Sequence, residues 1–126
     1  MPRKETKKLD VTKYVGTKTK IEKASVEMSK YGRVLKIESE PIPLKDGDKL
    51  PKDAKLTASV ILGIVCDADN NYYIGIDTRA DKWLLSHGLT ENDINVISLN
   101  VGDVVKQLIG KEVVCQKNEN GFLEIA

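Results

Sequence analysis

The chain has 126 residues, 40% of them hydrophobic and 31% charged, with 20 Lys/Arg against 19 Asp/Glu for a formal net charge of +1. That length is one domain, able to bury an ordinary core without metal or disulfide help. The longest apolar stretch, from Val60 to Cys66, is far shorter than the ~20 residues of a membrane-spanning helix. Met1-Pro2-Arg3-Lys4-Glu5 carries no apolar signal-peptide segment, so a cytoplasmic location is the default expectation.

Near-neutrality hides an uneven distribution. Residues 1–36 hold 11 Lys/Arg against 4 Asp/Glu, a balance of +7, and the remainder carries −6. An asymmetry of this size raises the question of a polyanionic partner, although a lysine-rich solvated face also serves solubility alone.

In chain order, residues 1–10 carry Arg3, Lys4, Lys7 and Lys8 with almost no apolar anchor and read as a disordered basic arm. A single domain is expected over 11–126. A similar phrase then occurs twice, as Tyr14-Val15-Gly16 before Thr17–Ile21 and as Leu108-Ile109-Gly110 before Lys111–Val114. In both, two apolar residues and a glycine lead into a strand-like run. From Thr17 to Met28 the period is two with one slip. Thr19 and Ile21 share one phase, while Ala24, Val26 and Met28 share the other. One extra residue near Lys23 reconciles them, which is a β-bulge.

Tyr31-Gly32 reads as a turn, and a strand follows from Arg33 to about Ile42, with Leu35 and Ile37 inward and Lys36 and Glu38 outward. Pro41, Pro43, Asp46-Gly47-Asp48 and Pro51 mark a polar loop. Lys55–Cys66 is the strongest strand. Leu56, Ala58, Val60, Leu62, Ile64 and Cys66 share one face, and Ile61 and Val65 suggest cover on the other face as well. A turn at 67–71 returns the chain into a short strand, Tyr72–Ile76. Thr78-Arg79-Ala80-Asp81 has capping-box spacing, so a helix is expected through Trp83, Leu84 and Leu85 to a stop at Gly88. Residues 90–100 are ambiguous. Gly102–Ile109 reads as a second short helix, and Lys111–Lys117 and Phe122–Ala126 as strands joined at Asn120-Gly121.

The fold class expected is mainly β, a barrel of five to six strands with one or two short helices. A long bulged first strand, a helix between the third and fourth barrel strands, a Gly-Lys step into the fourth and a closing hairpin together resemble the OB fold. The resemblance is one of layout over roughly residues 12–126. The Tyr72–Ile76 strand is additional to it, and the 90–109 connection is longer than that layout needs. It implies a ligand face over the second and third strands, drawing on Arg33, Lys36, Thr57 and Ser59 and bordered by Lys18, Lys20 and Lys23.

Single-stranded nucleic acid is held by cations that follow the phosphates and by aromatic faces that stack bases. Lys18, Lys20, Lys23, Arg33 and Lys36, with Lys30, are the candidate cations, and Tyr31 is the best stacking candidate. Tyr14, Tyr72 and Tyr73 are further aromatics, whereas Trp83 and Phe122 fall on apolar periodic faces and read as core. The function expected is therefore a non-catalytic module binding single-stranded DNA or RNA. The alternative is a protein-interaction module using the same barrel. Interspersed acids such as Glu22, Glu27, Glu38 and Glu40 would favour the alternative.

No enzyme, cofactor or metal site is read from the sequence. Asp67-x-Asp69-x-Asn71 begins like a calcium loop, but Tyr72 and Thr78 stand where that loop needs glycine and glutamate. His87 is the sole histidine and is expected in the last turn of the first helix. Cys66 and Cys115 sit in apolar runs and read as inert small hydrophobes.

Overall fold

The computed structural model describes residues 10–30, 32–45, 47–50, 53–69, 71–94 and 106–126. The expected basic arm falls outside these except for Asp10, which caps a short 3-10 helix, Val11–Tyr14, by accepting the Thr12 N–H at 3.0 Å.

Seven strands follow among the described residues: β1 Lys18–Ser29, β2 Gly32–Ser39, β3 Ser59–Gly63, β4 Val65–Cys66, β5 Tyr72–Tyr73, β6 Glu112–Lys117 and β7 Leu123–Ile125. Helices α1 Arg79–Ser86 and α2 Glu91–Ile94 lie between β5 and β6, and residues 106–108 are also helical. Five strands close a barrel in the order β1-β2-β3-β7-β6, while β4 and β5 form a separate antiparallel ribbon. Closure uses the antiparallel pairs Lys18–Lys20 with Val114–Glu112 and one parallel contact, Ser59 with Glu124. The mainly-β barrel with short helices is thus the observed architecture, and its strand order is compatible with an OB-like layout.

The bulge lies where the slip in period placed it. Ile21 pairs with Ser39 and Lys23 with Glu38, leaving Glu22 as the extra residue. That one residue lets Ile21 and, after it, Ala24 and Val26 face the same interior. The first half of β1 can then pair with β6 while the second pairs with β2, as one strand shared by two sheets requires. Leu35, Ile37, Val60, Leu62, Val113, Cys115, Leu123 and Ile125 fill the centre, all buried. Each such aliphatic burial contributes roughly 1.5–3 kcal/mol, so the alternating apolar set dominates any single surface contact.

Several expectations are corrected. Met28 has the inward phase but is 63% exposed, because the β1–β2 hairpin runs past the end of the barrel. Ile61 and Val65 are about half exposed on the outer side of β3 and β4, where nothing among the described residues covers them. Phe122 is 65% exposed. It precedes Leu123, which points inward, and so alternation turns it outward. The long third strand is interrupted. Residues 55–58 stay extended beside Ser39–Ile42 without completing the ladder, and β4 turns away to pair with β5. The expected Tyr72–Ile76 strand is only the two residues of β5, and Ile76 is exposed.

Helix α1 starts at the predicted cap. The Thr78 hydroxyl accepts the Asp81 N–H at 3.3 Å, an N-cap worth about 1 kcal/mol. The second arm of the expected box is displaced by one residue, since the Asp81 carboxylate takes the N–H of Asp77 at 2.9 Å. Asp77 adopts φ +61, a conformation asparagine and aspartate tolerate better than most residues. The chain leaves the helix through His87 and Gly88, whose φ is +89. Of the ambiguous segment 90–100, Glu91–Ile94 is helical and 95–100 lie outside the described residues, as does the first half of the expected Gly102–Ile109 helix.

Candidate binding face

Alternation along the three-stranded sheet β1–β2–β3 sorts its side chains. Inward go Ala24, Val26, Leu35, Ile37, Val60 and Leu62; outward go the residues between them. The register then builds three outward rows across the sheet: Lys23–Glu38–Ser59, Ser25–Lys36–Ile61 and Glu27–Val34–Gly63. The Thr57 hydroxyl adds to the first row, donating to Glu38 Oε1 at 3.1 Å.

The three outward lysines of β1 lie beside two glutamates of the neighbouring strands. Lys23 faces Glu38. Lys18 lies 3.7 Å from Glu112, with both side chains largely exposed, and Lys20 pairs opposite Glu112 while its carbonyl accepts the Glu40 N–H. Exposed pairs of this kind add little stability, about 0–1 kcal/mol. Their effect on the field is larger, because the face alternates in sign instead of carrying a continuous positive stripe. On its β3 side Val34 and Ile61, with Val65 beyond them on β4, leave apolar surface next to the charges.

Not all of the sequence-derived site residues come together. Lys18, Lys20, Lys23 and Lys36 share the outer surface. Arg33 does not, because it lies three residues from Lys36 on one strand, and an odd spacing puts the two on opposite faces. Its guanidinium sits 5.8 Å from the centroid of the Tyr72 ring, over the barrel end. Tyr31 lies outside the described residues.

The other aromatics are mostly committed to structure. Tyr14, Tyr72 and Trp83 are buried. Tyr73 is half-buried, and hydrogen bonding to Asp67 and then burial hold its phenol above the usual tyrosine range. Phe122, which reads as core in the sequence, is the one aromatic with most of its surface in solvent among the described residues, beside the β6–β7 turn. The signal that could have found it is its position one residue before the inward-facing Leu123.

The residues considered for chemistry have structural partners. Asp67 Oδ1 accepts the N–H groups of Asp69 and Asn71, both at 2.9 Å, so the turn closes on its own carboxylate. The Asn71 N–H above all holds that carboxyl below its usual range. His87 caps the C-terminus of α1 and stacks on Trp83 with ring centroids 3.7 Å apart, while its Nδ1 lies 2.6 Å from the Trp83 carbonyl oxygen. Cys115 is buried, which pushes its thiol up; Cys66 is half-buried, and the two are not joined in a disulfide. Among the described residues no group of three His, Cys, Asp or Glu could hold a metal ion, and no helix is long and apolar enough to cross a membrane.

Fold and face together define a small closed barrel whose three-stranded outer sheet interleaves lysine with glutamate beside an apolar flank. Models of known protein families give no match to the chain, and neither curated proteins nor solved structures match it at a significant level.

Proposed function

We propose that the protein is a non-catalytic binding module of the OB type, and that the outer face of β1–β2–β3 holds a protein partner. The carrying observation is the mixed charge of that face, Lys23 and Lys36 interleaved with Glu38 and Glu27, beside the apolar side chains of Val34, Ile61 and Val65. A phosphate backbone crossing this face meets carboxylates as often as ammonium groups, and loses the counterion-release gain that drives such binding. A protein partner with alternating charge matches it, and the exposed aliphatic groups supply the desolvated centre such an interface needs.

The excess of Lys/Arg in residues 1–36 supports the second reading, single-stranded nucleic acid bound through Lys18, Lys20, Lys23 and Lys36. A fluorescence titration separates the two. Labelled 20-mer DNA and RNA are titrated with micromolar protein at low and moderate salt, alongside affinity capture with wild type and Ile61→Asp. The proposal expects unbound oligomers, and a captured protein that is lost with Ile61→Asp while the melting temperature is retained. Micromolar oligomer binding with a steep salt dependence overturns it in favour of nucleic acid.

A further inference from the structure

Among the described residues, the second half of β1 has one bare edge. The Arg33 carbonyl accepts the Ile64 N–H at 3.1 Å, and the Ser39 N–H reaches the Ala58 carbonyl at 2.8 Å. Arg33, Leu35, Ile37 and Ser39 thus turn their backbone groups toward β3. Residues opposite one another in an antiparallel pair point their backbone groups alike, both toward each other or both away. Their partners on β1, namely Met28, Val26, Ala24 and Ile21, therefore turn N–H and C=O away from β2. Ile21 shows it directly: its N–H donates to the Lys111 carbonyl at 3.0 Å and its carbonyl accepts the Gly110 N–H at 2.8 Å. Pairing with β6 covers only Lys18–Lys20. Beyond Ile21, no backbone hydrogen bond among the described residues reaches that side of Ala24, Val26 or Met28.

A row of open donors and acceptors is a template for another strand, and edges are commonly defended with charges of one sign that repel a second copy. Here the outward side chains along the edge are Lys23, Ser25 and Glu27, opposite in sign and equally spaced about the serine. Read antiparallel, that order is its own complement. We propose that β1 is a self-association edge, at which two copies of the chain pair antiparallel about Ser25.

Backbone parity restricts the register. An edge-facing residue must oppose another edge-facing residue, so Ala24 exchanges hydrogen bonds with Val26 of the second copy, and Val26 with Ala24. Lys23 then faces Glu27 of the second copy, and Glu27 faces Lys23. Both fall in non-hydrogen-bonded pairs, where opposing side chains approach closest. Within its own copy the Glu27 carboxylate accepts the Ser25 hydroxyl at 3.5 Å. Exposed Met28 comes opposite Glu22, where the bulge ends the regular edge. The result is a continuous six-stranded sheet, β3-β2-β1 with β1-β2-β3 of the second copy, and it sets the two outer faces side by side. The assembly does not depend on what that face binds.

Sedimentation velocity and light scattering from 1 to 200 µM test it on the full chain, whose monomer is 14.0 kDa. Wild type is expected to reach the dimer mass. Lys23→Glu and Glu27→Lys each place two like charges across the seam, and each is expected to raise the dissociation constant about tenfold. The double variant restores opposite charges and returns to within about threefold of wild type. Amide exchange on wild type supplies a readout free of mutation. The Ala24, Val26 and Met28 amides gain protection as concentration rises, while those of Ser25 and Glu27, which face β2, are protected throughout. A wild type that stays monomeric at 200 µM overturns the proposal. So does a dimer indifferent to both single charge reversals, or one whose edge amides exchange at the same rate at all concentrations.

Discussion

Tyr14 and Asp48 stand 34 positions apart, and the phenol of the first donates to the carboxylate of the second. The same phenol oxygen accepts the Lys45 N–H at 2.9 Å, and Lys13 Nζ reaches the other Asp48 oxygen at 2.5 Å. Tyr14 is fully buried, so its ring packs in the core while its hydroxyl ties down the polar loop after β2. Tyr14→Phe keeps the ring and removes both bonds. Its melting temperature should fall by about 3–6 °C in a calorimetric scan. An unchanged value would show that the loop is held without this hydroxyl.

The same contact predicts an acid limb. Asp48 is held below the usual carboxylate range, first by hydrogen bonding from Lys13 and then from Tyr14. A carboxyl depressed in the folded state contributes stability that is fully present above its unfolded value, about 3.9, and is lost as pH falls through the lower folded value. Asp48→Asn should therefore be less stable than wild type at pH 6, with the gap closing below about pH 4. A gap of constant size from pH 7 to pH 2.5 would remove the carboxylate's charge from the account.

How much of this was legible in the sequence follows from the range of the forces involved. The bulge was readable because Ile21 and Ala24 fall out of phase within a few residues, and α1 because its cap and its stop are local. Tyr14 was not, because Asp48 lies in a loop without periodicity, and nothing in either neighbourhood announces the other. Arg33 and Lys36 share a charge and a strand, but their odd spacing separates them onto opposite faces. Met28 and Phe122 show the opposite limit: an apolar residue in the right phase still needs barrel above it, and a hairpin residue takes its face from its neighbour. The alternation of charge across β1 and β2 needed the register, which the β1–β2 hairpin sets as far as the bulge.

Ser39 is the buried polar residue of the core region among the described residues, and its hydroxyl accepts the Ala58 N–H at 2.8 Å while donating to the Glu40 carbonyl at 2.9 Å. Ser39→Ala leaves the Ala58 N–H buried without a partner, at a cost of about 1–3 kcal/mol. Ser25→Ala, on the exposed side of β1, should change stability by less than ~0.5 kcal/mol. Chemical denaturation of the two variants measures the difference, and equal midpoints would mean that water replaces the lost hydroxyl.

Deleting Glu22 separates two roles of the bulge. Without it, Ile21, Ala24 and Val26 fall into simple alternation, so the inward set is kept and the β1–β2 ladder becomes regular. What is lost is the bend that lets Lys18–Lys20 pair with β6 while Lys23–Ser29 pairs with β2. The deletion variant should therefore fold cooperatively but be less stable by roughly 1–3 kcal/mol, through strained closure of the barrel. Deleting Ser25 instead leaves the bulge and moves Val26 and the residues after it to the wrong face, so its cooperative transition should be lost. Thermal melts followed by circular dichroism compare them. A Glu22 deletion more stable than wild type would mean that the extra residue is an irregularity the barrel tolerates and not the device that closes it.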